Sequence, residues 1–202
     1  MAIVVCLCKN LNMSEITGII LAGGKSSRMG QEKGLLKFKD KFLIEYSINA
    51  LKKISDRIII SSNSLNYDFL GYEIVKDEIP NSGPMGGIYS CLKQSKTKNN
   101  LVLSCDTPNV SEDLFKYILE KSNGKDIVVP WHGKKFFEPL CGFYNKNTIE
   151  VLKKFIDKNN YRIPDVFKEV NFLALLMSEE LGFFSKSLFV NINLKKDLEK
   201  LL

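Results

Sequence analysis

Apolar residues fall into short runs along this chain, each ended by a polar or glycine-rich break. Ile16–Leu21, Arg57–Ser61, Tyr72–Lys76, Leu101–Cys105 and Ile127–Val129 have the composition of strands. Helical stripes lie between them. Leu43, Tyr46, Ala50 and Ile54 recur at helical spacing through residues 42–54. A short helix is expected near Leu65–Leu70 and a longer one over Gly86–Gln94. Leu114, Phe115, Ile118 and Leu119 give another helix its apolar face, with Ser111 as its N-cap and Glu112 and Asp113 in its first turn. The second half is less regular. Phe136–Tyr144 reads as an edge or bent strand because Pro139 lies inside it. Ile149, Leu152 and Ile156 stripe a helix over Asn147–Ile156, and Pro164–Val170 suggests a short helix. Residues 171–184 carry no clear period. Leu188–Val190 reads as a strand, and Leu194, Leu198 and Leu201 stripe a last helix.

Strand–helix alternation predicts a three-layer α/β/α, Rossmann-like architecture around a mostly parallel sheet. Ligands of such sheets bind outside the carboxyl ends of the strands. A glycine loop, Asn63, Asp77 and Asp106 follow four successive predicted strands, so all four are expected on one edge.

The glycine loop opens the candidate chemistry. Residues 17–34 read TGIILAGGKSSRMGQEKG. Gly23 and Gly24 let backbone N–H groups approach an anion closely. Arg28 adds a planar fork of donors and Lys33 a point charge, a combination suited to polyphosphate. The plainer reading, a hairpin with solvated bases, explains the glycines but not bases clustered behind a buried strand. The dinucleotide fingerprint G-x-G-x-x-G is absent, because the two glycines are adjacent. The P-loop pattern also fails, because Ile19 stands where its first glycine should be.

Composition narrows the classes. The apolar fraction of 45% and charged fraction of 26% are ordinary for a soluble protein. The net charge of +6 favours an anionic ligand. The bases are dispersed rather than striped among aromatics, so no nucleic-acid partner is indicated. Five cysteines without a C-x-x-C pair indicate neither a disulfide framework nor a zinc site. Cys105 reads as a small buried residue and the single histidine, His132, as a surface or loop residue. No apolar run approaches a membrane span, and Ala2–Cys8 lacks the basic flank of a secretory signal. A cytoplasmic protein without a membrane partner is expected, with residues 1–12 an extension and 13–202 one domain.

The whole loop, L-A-G-G-x-S-x-R-M-G-x-x-K-G, resembles the signature of nucleotidyltransferases that move an NMP group from an NTP to a phosphorylated acceptor. Its double glycine is similar to that of the molybdenum cofactor guanylyltransferases. Gly83–Gly87 (GPMGG), Cys105–Pro108 (CDTP) and Phe189–Asn193 (FVNIN) also resemble that family's motifs, and the likeness covers nearly all of 16–202. It implies that Leu21, Ala22, Gly23, Gly24, Lys33, Asn63, Asp77 and Asp106 bind GTP, and that Arg28, Lys33 and Asp106 are catalytic. Asp106 would hold Mg²⁺. Gly83, Gly86, Arg162, Asn191 and Asn193 would face the acceptor, the molybdenum cofactor. Protein partners that pass the product to molybdoenzymes are implied as well. The chain departs from the family in having one residue fewer before Lys33, and Leu194-Lys195 where Thr-Pro is usual.

Plainer roles remain for several of these residues. Asp106 could close a turn before Pro108, Asp77 could open one, Asn63 could simply end a strand, and Asn193 could cap a helix. A cytidylyl or sugar-phosphate nucleotidyltransferase on the same fold, and a non-catalytic nucleotide-binding protein, stay open at this stage.

Overall fold

The computed structural model describes residues 12–23, 32–132 and 136–192 of the 202-residue chain. Strand β1 (Ile16–Leu21) is followed by a short antiparallel ribbon, β2 (Lys37–Phe38) and β3 (Lys41–Phe42), and by helix α1 (Leu43–Lys52). Then come β4 (Arg57–Ser61), β5 (Glu73–Val75), α2 (Gly83–Gln94), β6 (Asn99–Ser104) and α3 (Glu112–Glu120). The later part holds β7 (Ile127–His132), β8 (Phe136–Phe137), β9 (Cys141–Asn145), α4 (Ile149–Asp157), α5 (Ile163–Val166) and β10 (Phe172–Leu176).

The main sheet has the order β10–β7–β9–β6–β1–β4–β5, with β8 also pairing β7. Strands β6, β1, β4 and β5 run parallel. Among the described strands of this sheet only β9 and β8 oppose this direction: β9 is antiparallel to both β6 and β7, so β7 and β10 run the same way as β6. All six residues of β1 are buried, as a central strand covered on both faces requires. Its side chains alternate between two cores. Ile16 and Ile20 join Ile58, Ile60, Leu101 and Leu103 beneath α1 and α3. Ile19 and Leu21 join Ile59 and Val102 beneath α2 and α4. This is the three-layer α/β/α arrangement that the alternation predicts. Among the described residues no helix is long and apolar enough to cross a membrane.

Several elements differ from the sequence reading. The buried face of α1 is Leu43, Ile44, Ser47, Ile48 and Leu51 with Ala50. Tyr46 stands at its margin, where its hydroxyl donates to the Phe38 carbonyl at 2.8 Å. Ile54 is buried but lies past the helix end. Helix α2 begins at Gly83, three residues earlier than the loop-like composition suggests. Proline is tolerated in a first turn, whose N–H groups have no intrahelical acceptor, so Pro84 does not delay it. Phe136–Tyr144 is two strands, β8 and β9, with Pro139 in the turn between them, and β9 is central rather than at an edge. The patternless stretch contains an edge strand, β10. Leu188–Val190 is not a strand: it forms turns in which Leu188 and Val190 N–H groups donate to the Ser185 and Ser187 carbonyls. Ser111 precedes α3 as expected, but its hydroxyl makes no capping bond. The last helix and residues 1–11 lie outside the described residues.

Candidate functional site

Four adjacent parallel strands deliver their carboxyl ends to one edge. In sheet order β5, β4, β1 and β6 lead to Asp77, Asn63, Gly23 and Asp106. A cleft of about 560 Å³ opens there. Leu21, Ala22 and Gly23 form one wall; Ser61 to Ser64 and Asp77 form its floor. Gly83, Pro84 and Gly87 enter from the first turns of α2, and Glu32, Ser104 and Leu140 complete it.

The glycines do different jobs. Among the described residues a Cβ on Gly23 would meet only the Ser61 carbonyl, at 3.8 Å. A Cβ on Gly87 would come within 2.5 Å of Ser61 Oγ, so α2 packs there against the end of β4. Gly83 lines the cleft at φ +60°, which suits glycine. Gly86, expected to face the acceptor, is buried, and a Cβ there would come within 1.8 Å of Ser82 Oγ. It packs against Ser82 and does not line the cleft.

Asn63 and Asp77 lock together. The Asn63 amide donates to Asp77 Oδ2 at 3.1 Å, and the Asp77 backbone N–H donates to Asn63 Oδ1 at 2.9 Å. Burial pushes the Asp77 carboxyl up from its ordinary value, against hydrogen bonds from Asn63 and Ser61 that lower it. The result is a carboxylate held at the cleft floor with its orientation fixed.

Asp106 follows β6 and is 8% exposed. Ser104 Oγ donates to its Oδ1 at 2.5 Å, and Lys33 Nζ lies 3.4 Å from its Oδ2. That ion pair is long for a charge-assisted bond, so a cation or a phosphate can come between the partners without displacing a tight contact. Among the described residues no cluster of three or more His, Cys, Asp or Glu could hold a metal. A single hard carboxylate nevertheless fits Mg²⁺, which takes one or two protein oxygens and completes its shell with water and substrate phosphate. Tyr67 stands behind the loop. It is fully buried, its hydroxyl lies 3.5 Å from the Ala22 carbonyl, and a Cβ on Gly34 would come within 2.7 Å of that hydroxyl. Burial pushes its phenol far up, so it remains a neutral donor.

Asn191 reaches this edge by turns rather than on a strand. The N–H of the next residue, buried Ile192, donates to the Asp106 carbonyl at 2.9 Å, leaving Asn191 exposed beside it. Arg162 is not brought here: it is exposed, precedes α5 and does not line the cleft. Gly24, Arg28 and Asn193 lie outside the described residues. The sequence reading missed Ser104, Glu32 and Leu140. Ser104 is hidden inside an apolar strand, and nothing local marks Leu140. Glu32 sits next to Lys33 and is the one that adjacency could have suggested. His132 was also misplaced: it ends strand β7 and is half-buried.

Comparison with known proteins places this geometry. The MobA-like NTP transferase domain family matches residues 18–170. The chain belongs to the MobA-like NTP transferase family. A Flavobacterium johnsoniae relative named "Probable molybdenum cofactor guanylyltransferase" is 35% identical over 189 residues, covering 94% of this chain and 97% of its own. A crystal structure from Aquifex aeolicus VF5 is 33% identical with a TM-score of 0.73, covering 92% of this chain and 96% of that one. Molybdopterin-guanine dinucleotide biosynthesis protein A from Archaeoglobus fulgidus has a TM-score of 0.75 at 22% identity, a likeness of fold, over 91% of this chain and 95% of that one. In this MobA-like transferase the matched segment spans β1 to the start of β10's approach. It therefore contains the whole cleft, while Asn191 lies beyond it.

Proposed function

We propose that this MobA-like transferase moves GMP from GTP to the terminal phosphate of molybdopterin-bound molybdenum cofactor. A terminal phosphate oxygen of the acceptor bonds to the α-phosphorus of GTP. The bond from that phosphorus to the bridging oxygen breaks, and pyrophosphate leaves with the bond's electrons. The names of the relatives support the guanylyl donor and the acceptor. The observation that carries the reading is the convergence of four parallel strand ends, with Asp106 and Lys33 loosely paired at the β6 end of that row.

Such a transfer needs positioning and charge neutralisation rather than a protein nucleophile. Mg²⁺, when bound, supplies neutralisation at the phosphate oxygens. Asp106 would hold it, with Ser104 fixing the carboxylate's rotation. Lys33 stabilises charge that develops on the leaving phosphates. The loop at Ala22 and Gly23 brings backbone close to the nucleotide. Asp77, oriented by Asn63, accepts hydrogen bonds from the N–H groups of the base. Proteins that receive the product for molybdoenzymes would then act after this step.

A binding competition among the four NTPs tests the donor. GTP is expected to bind most tightly. Preference for CTP would move the chain to cytidylyl transfer on the same fold.

A further inference from the structure

The sheet edge continues past Asp106, and no role assigned so far uses that part of it. Strand β7 runs parallel to β6 with β9 between them, so its carboxyl end, at His132, lies on the same edge. Two strand spacings separate the two ends, about 10 Å. Two segments span that gap. The turn Glu138–Leu140 links Leu140, a wall of the cleft, to Glu138, whose Oε1 lies 2.7 Å from His132 Nε2. The Leu140 carbonyl is fastened to the Ser104 N–H at 2.9 Å. On the other side Phe189 stacks on the His132 ring, with centroids 5.1 Å apart and planes 13° apart. Three residues later Ile192 is fastened to Asp106.

His132 is therefore a fixed member of the edge. A carboxylate accepts, so Nε2 carries the proton, and Nδ1 has no partner among the described residues. Glu138 Oε2 is likewise unengaged among them. Phe136 stacks against His132 at 6.2 Å and is 67% exposed. A large exposed ring beside two polar atoms that no described residue engages is an arrangement that suits a flat heterocycle, with one face on the aromatic and polar edges on the nitrogen and carboxylate.

We propose that Phe136, His132 and Glu138 form the seat for the planar ring system of the phosphorylated acceptor. Its phosphate end then extends along the edge, past Leu140 and Asn191, to Asp106. This assignment rests on the acceptor reading above. It gives the reaction a geometric reason for sharing one edge: the donor occupies the β5–β1 half and the acceptor the β9–β7 half, with Asp106 at the meeting point.

The test uses the full chain with GTP and molybdenum cofactor, measuring acceptor KM, GTP Kd and melting temperature. Isothermal titration calorimetry reads acceptor binding without turnover. Phe136→Ala removes an exposed ring and Glu138→Gln preserves shape. Each is expected to raise the acceptor KM about tenfold, the worth of one lost aromatic or polar contact, while GTP Kd holds. The calorimetric affinity for the acceptor should weaken by the same factor. Unchanged acceptor KM in both variants overturns the proposal. So does a Phe136→Ala variant that changes only the oligomeric mass, because the ring would then serve a second copy of the chain. If the wild type transfers no GMP to molybdenum cofactor at all, the underlying reading fails, and this assignment with it.

Discussion

At Asp106 one carboxylate is held by Ser104 and approached by Lys33, and this arrangement decides what its loss should do. Asp106→Ala is expected to lower kcat about a thousandfold, roughly 4 kcal/mol of barrier, while GTP binding partly survives. A variant keeping most of its kcat would return Asp106 to a turn-forming role. Gly86 makes the opposite kind of prediction. Its Cβ position is occupied by Ser82 Oγ, and Ser82 is itself fully buried and donates to the Ile79 carbonyl. Gly86→Ala should therefore cost about 1–3 kcal/mol of stability by overpacking, read as a lower denaturant midpoint. A shift in acceptor KM at unchanged stability would restore Gly86 to the acceptor site. Asp77 predicts a pH effect. Burial raises its pKa, so on acidification it takes up a proton at higher pH than an ordinary aspartate. The protonated form can no longer accept from the base, and GTP affinity should fall along that acid limb. Stability moves the other way: the ionised, buried form costs folding free energy above this pKa, and acidification through it relieves that cost. Asp77→Asn should remove the limb from a binding titration. Identical acid limbs in wild type and variant would contradict the assignment.

Among the elements, the parallel strands were legible because each is an apolar run closed by a polar break. Residues buried on two faces leave that signature however the sheet is ordered. The four strand-end positions followed directly, and with them the cleft. The part of the edge beyond β6 was not legible, because its elements depend on partners rather than on pattern. Pro139 suggested an edge strand, yet it lies in the turn and β9 pairs on both sides. Phe172–Leu176 and Leu188–Val190 have similar strand composition, but only the former finds an open strand, the outer side of β7, to pair with. Arg162 was expected at the acceptor from the family resemblance alone, and the docking of α5 in the core beneath α2 and α4 keeps it off the cleft. Ser111 offers a test at this scale. Since its hydroxyl makes no cap bond, Ser111→Ala should change stability by less than about 0.5 kcal/mol, against about 1 for a working cap. A loss near the larger value, measured by denaturant unfolding, would mean the cap forms in solution.

Across the whole molecule, two hydrophobic cores clamp one sheet, and the binding edge is what that clamp leaves open. Asn12, the first described residue, makes one exposed side-chain contact, its N–H donating to Glu15 Oε2 at 2.9 Å ahead of β1. A chain begun at Met13, which loses only that contact among the described residues' side-chain bonds, is expected to melt and turn over like the full one. A fall of many degrees in melting temperature would give the first residues a structural role. The central claim, that this edge joins a guanine nucleotide to a phosphorylated molybdenum cofactor, is tested most directly by pyrophosphate release. Each of the four NTPs is supplied with Mg²⁺, with and without molybdenum cofactor. The account predicts release from GTP that depends on the acceptor, with the other three nucleotides far slower. Release from CTP in preference to GTP, or release from GTP indifferent to the acceptor, would contradict it.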